Sequence, residues 1–224
     1  MSTQYASFIK TLRTQRGVSQ LVLAEKLGLS RQSYMAVERG VRELTLGEFQ
    51  KLSEFFGVSL EDFERGELPN YEKYKQMILA FLRINKNIPK TKLAKLLYFA
   101  DFAWFYTHLK SMSGMQYRKI QYGPVADTYF RLIDEMFDAG EVAIEQTGSG
   151  AMLVSQTRGG AKENLSHISK SELQLIQNIN EKWKGKRTEE IVKFTHNQLP
   201  FLFAEDNDIV SYDIFGQQDP DEIY

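Results

Sequence analysis

A chain of 224 residues with 42% apolar residues and a net charge of −1 has room for two small packed domains and carries no global basic field. The absence of cysteine removes disulfides and thiolate zinc sites. No apolar run reaches the roughly 18 residues of a membrane helix, and MSTQYASFIKTLRTQRG lacks the apolar core of a signal peptide, so a cytoplasmic protein without a membrane partner is expected. In chain order, Tyr5, Phe8, Ile9 and Leu12 share one face of a first helix ahead of Gly17. Residues 19–40, SQLVLAEKLGLSRQSYMAVERG, then read as two short helices around a glycine turn. Ser19 caps the first, which carries Leu23, Ala24 and Leu27 inward; Gly28 makes the turn; Ser30 caps the second, which carries Tyr34, Val37 and Glu38 before Gly40. A further helix follows Thr45, with Leu46, Phe49, Leu52, Phe55 and Phe56 at a period near 3.6. Gly57 closes it, and Ser59 caps a short last helix with Leu60 and Phe63.

These pieces resemble the Xre-type helix-turn-helix family, the phage-repressor and Cro-like regulators, over roughly residues 4–65. The resemblance implies a bundle of about five short helices that reads operator double-stranded DNA as a homodimer, with half-sites one helical turn apart. The first turn of the recognition helix points into the major groove, which makes Arg31, Gln32 and Ser33 candidate base contacts. Arginine pairs with guanine edges and glutamine with adenine edges through two hydrogen bonds each. Gln20 matches the family position that clamps a phosphate, and Arg42 is a second phosphate candidate. Tyr34 fits either a DNA contact or packing. From Met1 to Thr45 seven basic side chains face three acidic ones, whereas Leu46 to Asn70 holds two basic and six acidic, so the domain is polarised.

GELPNYEK, residues 66–73, breaks the helical pattern and reads as a hinge. Beyond it, Tyr71–Ile84 is a helix with Tyr74, Met77, Ile78, Phe81 and Leu82 inward. Thr91 then caps TKLAKLLYFADFAWFYTHL, which is apolar on most of its circumference and so is the central helix of a second domain. MQYRKIQYG alternates like a strand, Pro124 opens a helix that ends at Gly140, and EVAIEQTG and AMLVSQ form a strand pair around Gly148 and Gly150. Ser171–Trp183 and Thr188–Asn197 are two further helices. The expected fold is mainly α with a small β component: a helix-turn-helix domain (1–66), a linker (67–73), a mostly helical α+β domain (74–204) and an acidic tail (205–224).

KLLYFAD, a turn at Gly114, IQYGPV and a late helix ending in His196 resemble the Panacea domain, also called the SocA-like antitoxin domain, over roughly residues 72–204. The matching positions are Lys95, Leu96, Tyr98, Asp101, Gly114, Tyr122, Gly123, Pro124, Val125 and His196. The resemblance implies an antitoxin that neutralises a cognate toxin by direct binding; some members carry an N-terminal DNA-binding domain. Tyr98, Asp101 and Tyr122 become candidate partner contacts, although a core helix and a strand-to-helix corner account for the same residues structurally. The tail holds seven acidic and no basic residues, against nineteen basic and thirteen acidic in 71–204. Three readings suit it: docking in a basic cleft on the toxin, anchored by Tyr212, Phe215 and Tyr224, folding back on its own basic domain, or disorder of its last residues.

The three histidines, His108, His167 and His196, have no paired-ligand spacing, and neither a GxSxG elbow nor a lysine-bearing phosphate loop is present. The sequence therefore points away from an enzyme and calls for no cofactor. It reads as an antitoxin that also represses its own operon. The alternative is a plain Xre-type repressor, of phage descent, whose C-terminal domain oligomerises or senses a ligand.

Overall fold

The computed structural model describes residues 3–58 and 68–224, and these divide into two units, Met1–Tyr71 and Glu72–Tyr224. Among the described residues of the first unit four helices follow one another: α1 (Thr3–Gln15), α2 (Gln20–Leu27), α3 (Arg31–Glu38) and α4 (Leu46–Phe56). Local chemistry sets their ends. The Ser19 hydroxyl accepts from the Val22 amide and that of Ser30 from the Ser33 amide, each satisfying a donor with no partner inside its helix. Thr45 and Glu48 form a reciprocal capping box at the start of α4. Gly28, at φ 76°, takes the left-handed conformation that ends α2, and the following Leu29 amide reaches back to the Ala24 carbonyl. One core joins the helices through Phe8, Ile9, Leu12, Leu23, Leu27, Tyr34, Val37, Leu52 and Phe56. The expected last helix, with Ser59, Leu60 and Phe63, lies outside the described residues, as does Gly66.

The second unit is built around a long central helix. α5 (Tyr71–Ile84), which begins at the boundary, leads through β1 (Ile88–Pro89) into α6 (Lys90–His108). The helix expected at Tyr71–Ile84 is present with those bounds, so Tyr71–Lys73, the last residues of the expected linker, are helical. Every residue of α6 from Leu93 to Ala103 is buried, including Lys95 and Asp101, so this helix is enclosed on all sides. Around it lie β2 (Tyr117–Arg118), β3 (Val125–Ala126), α7 (Tyr129–Asp138), β4 (Val142–Gln146), β5 (Met152–Gln156), α8 (Arg158–Lys162), α9 (Lys170–Trp183), α10 (Thr188–His196), α11 (Leu199–Phe203) and α12 (Tyr212–Phe215). β5 pairs antiparallel with both β4 and β1, and β2 with β3. The fold is mainly α with a small β component, as the sequence indicates. No helix among the described residues is long and apolar enough to cross a membrane.

Two local expectations are corrected. Thr91 does not cap α6: the cap lies two residues earlier, at Pro89, whose strand pairing with Leu153 fixes the entry. Pro124 does not open a helix. Val125 and Ala126 instead pair with Arg118 and Tyr117, and α7 begins only at Tyr129. The RGG run at 158–160 lies in α8, where the Thr157 hydroxyl accepts from both glycine amides.

The tail does not leave the domain. Val210 and Phe215 are buried, the Tyr212 hydroxyl donates to the Met115 carbonyl at 2.7 Å, and its ring stacks on Phe102. Near the end of the chain, Gln198 Nε2 donates to the carbonyls of Glu222 and Ile223. Its own domain is thus where the tail packs, and burial of its apolar side chains is the driving force.

Candidate functional site

The DNA-facing candidate follows from how α3 is held. Tyr34 and Val37 sit three apart and turn inward, whereas Arg31 and Gln32, in the first turn, are exposed. Ser33 is half-buried and its hydroxyl accepts from that of Ser30, within the cap. Tyr34 is fully buried, which removes it as a DNA contact; its hydroxyl donates to Glu38 Oε1 at 2.7 Å. Two free, adjacent side chains with bidentate hydrogen-bonding capacity therefore stand at the N-terminal turn of α3.

Glu38 holds this helix to the rest of the unit. Its carboxylate accepts from Arg13 Nε at 2.6 Å, from the Tyr34 hydroxyl, and from Gln20 Nε2 at 2.8 Å, so α1, α2 and α3 meet on one buried anion. Burial pushes the Glu38 carboxyl up, but the hydrogen bonds from Arg13, Tyr34 and Gln20 outweigh it and hold the group below the usual carboxylate range. Burial, followed by the bond to Glu38, raises the Tyr34 phenol. Gln20, expected at a phosphate, donates one of its two amide protons to Glu38. Arg42 donates to Glu48 Oε1 at 2.7 Å, which ties it to the Thr45 capping box; that bond is the main reason the Glu48 carboxyl is lowered. Arginine 13 and Glu38 went unassigned in the sequence because their partnership spans 25 positions and leaves no periodic signal.

In the second unit the motif residues Lys95, Tyr98, Asp101 and Gly123 are spent on the fold itself. Lys95, buried on α6, donates to the Pro124 carbonyl at 2.7 Å, and burial lowers its ammonium to about 7. Gly123 has φ 88°, and a Cβ there would meet Thr195 Oγ1 at 2.5 Å and Lys95 Cε at 3.0 Å. Glycine is thus required twice over, for its conformation and for space. Asp101 accepts from the Ser113 amide at 2.6 Å, the Ser113 hydroxyl at 2.5 Å and the Tyr117 hydroxyl at 2.7 Å. Burial raises Asp101 to about 6, partly countered by the bonds from Ser113 and Tyr117. Tyr98 lies in an aromatic cluster with Phe102 and Tyr117. His196 stacks on Phe201 with ring centroids 4.4 Å apart.

Tyr98, Asp101 and Phe215 are fully buried, so none offers a surface to a partner. Tyr212 is half-buried in the same aromatic cluster, and Tyr224 lies with the Lys182 ammonium 5.4 Å from its ring centroid. Tyr122 alone among the six partner candidates is exposed. The Gly-Pro corner is held by Lys95 rather than by Tyr98 or Asp101.

Comparison with known proteins matches both halves of this picture. The helix-turn-helix family model matches residues 9–63. An HTH-type transcriptional regulator of Methanocaldococcus jannaschii is 41% identical over 54 residues, covering 82% of that protein and 24% of this chain. The chain belongs to the helix-turn-helix family of transcriptional regulators. The cryptic phage CTXphi transcriptional repressor RstR of Vibrio cholerae is 31% identical over 75 residues, which cover 68% of the repressor and 33% of this chain. In this regulator, residues 93–200 match the Panacea domain of SocA-like antitoxins. No solved structure matches the chain.

Proposed function

We propose that this regulator is the antitoxin of a toxin–antitoxin pair: it neutralises its cognate toxin by direct binding and represses its own operon. The observation that carries the reading is a division of labour. The first unit leaves Arg31 and Gln32 exposed at the start of α3, whereas the second spends its motif side chains on internal bonds. Burial of Lys95, Asp101 and Tyr98 withholds them from a partner, which supports a role for the rest of the domain's surface. The family match at residues 93–200 supports an antitoxin role for that surface. On DNA, two copies would place α3 in successive major grooves, with Gln20 and Arg42 toward phosphates. This requires a homodimer in the cytoplasm, where operator and toxin are both accessible.

The test is growth of a bacterium expressing the reading frame adjacent to this gene, alone and with this chain. The reading requires arrest by the first and rescue by the second; toxicity without rescue refutes it. A plain repressor is the second reading, favoured by the regulator and repressor names of the two relatives, both matched over no more than a third of this chain. It calls for operator binding with no neutralised partner.

A further inference from the structure

From Leu202 to Ile209, LFAEDNDI, the chain leaves the last turn of α11 and crosses the surface of the second unit as a loop. Its backbone is pinned at nearly every step. The Asn207 amide donates to the Lys119 carbonyl at 2.9 Å, and the Lys119 amide returns a bond to the Asp208 carbonyl at 2.9 Å. The Val210 amide closes onto the Tyr117 carbonyl at 2.8 Å, so this stretch lies alongside β2. Lys119 Nζ donates to the Ala204 carbonyl at 3.0 Å, and Arg118 donates to the Asn207 carbonyl. Asn207 takes φ 67°, a conformation asparagine tolerates better than most residues.

The side chains do the opposite of the backbone. Phe203 is 71% exposed, Leu202 58% and Ile209 39%, and Glu205, Asp206 and Asp208 are exposed between them. Lys119 is the one cation paired with these carboxylates among the described residues, at 4.0 Å from Asp206. A fixed backbone presenting a phenylalanine and a leucine beside three carboxylates has already lost the loop entropy that binding would otherwise cost.

We infer that this loop is the docking element for the partner protein, seating Leu202 and Phe203 in an apolar socket rimmed by lysine and arginine; the assignment rests on the antitoxin reading. The charge selects the occupant. A second copy of the chain packed about a two-fold axis would bring six carboxylates together. Nucleic acid and anionic membranes carry the same sign as the loop. A cationic protein surface is complementary in both charge and hydrophobicity. The acidic tail thus divides: its apolar residues from Val210 onward pack at home, and its first carboxylates face outward.

The test uses the full chain and the purified product of the adjacent reading frame, with affinity measured by titration calorimetry at low and high salt. Two variants are compared with the unmodified chain: L202S with F203S, and E205K with D206K and D208K. All five side chains are exposed, so melting temperature and operator binding should stay unchanged. Each variant should bind roughly 30-fold or more weakly. For the unmodified chain affinity should fall as salt rises, and the charge-reversed variant should lose that dependence. Binding by both variants within twofold of the unmodified chain overturns the loop while leaving the antitoxin reading intact. No binding by the unmodified chain overturns both.

Discussion

Replacing Glu38 by alanine tests whether the recognition helix is held by one buried anion. The side chains of Glu38 and Arg13 are 4% and 13% exposed, and the Tyr34 hydroxyl is buried beside them. Removing the carboxylate strands a guanidinium, a phenol and the Gln20 amide at once. Breaking a buried ion pair from one side costs about 3–5 kcal/mol. The lower end applies here, because Arg13 Nη1 keeps its bond to the Val18 carbonyl at 2.9 Å. A loss of about 3 kcal/mol is a large share of the 5–15 kcal/mol that stabilises a typical domain. Hydrogen exchange followed by mass spectrometry on the full chain reads the result by segment. In E38A, peptides from residues 3–58 should exchange more than 100-fold faster, about 1.4 kcal/mol corresponding to each factor of ten. Peptides from 72–224 should be unchanged, and operator binding should be lost. Exchange within threefold of the unmodified chain would refute the claim that Glu38 organises the unit.

Because the folded-state carboxyl of Glu38 lies below its unfolded value, the unfolded chain takes up the proton first as pH falls. The first unit should therefore lose stability below about pH 4.3, the ordinary glutamate value, and E38Q should flatten that slope in acid titrations followed by circular dichroism. R31A with Q32A should weaken operator binding by roughly 100-fold or more, at about 1–3 kcal/mol per bidentate contact, with melting and partner binding unchanged; gel-shift titration checks it. G123A, forced to φ 88° against Thr195 and Lys95, should destabilise the second unit by about 2 kcal/mol or more, read as a lowered thermal midpoint. D101A should cost about 3 kcal/mol by orphaning three buried donors. A D101A protein that is fully stable yet fails to bind its partner would contradict the internal role given to Asp101.

What the sequence made legible was local. Ser19, Gly28, Ser30 and Gly57 act on backbone groups within a few positions, so cap and turn chemistry located the helices of the first unit. The enclosed helix α6 was equally plain from its apolar run. Non-local partnerships were hidden. The bond between Arg13 and Glu38, and the pairing of Val125–Ala126 with Tyr117–Arg118, override local preference at a distance. Proline 124 reads as a helix start only until that pairing claims its neighbours. Tyr34 carried a usable signal, since it lies three residues before Val37 on the inward face. For Tyr98, Asp101 and Phe215, chemical type suggested contact with a partner, but burial decides accessibility and sequence alone does not give it. Leu202 and Phe203 carried no signal of their own in the sequence, because their exposure depends on where Lys119 pins the neighbouring backbone.

The central claim is that one chain reads DNA with its first unit and captures a protein with its second. Titrating the purified product of the adjacent reading frame into R31A with Q32A tests it most directly. The account predicts tight binding, indistinguishable from that of the unmodified chain, by a protein that no longer binds the operator. Absence of binding by both proteins, or its loss in the folded variant alone, would contradict it.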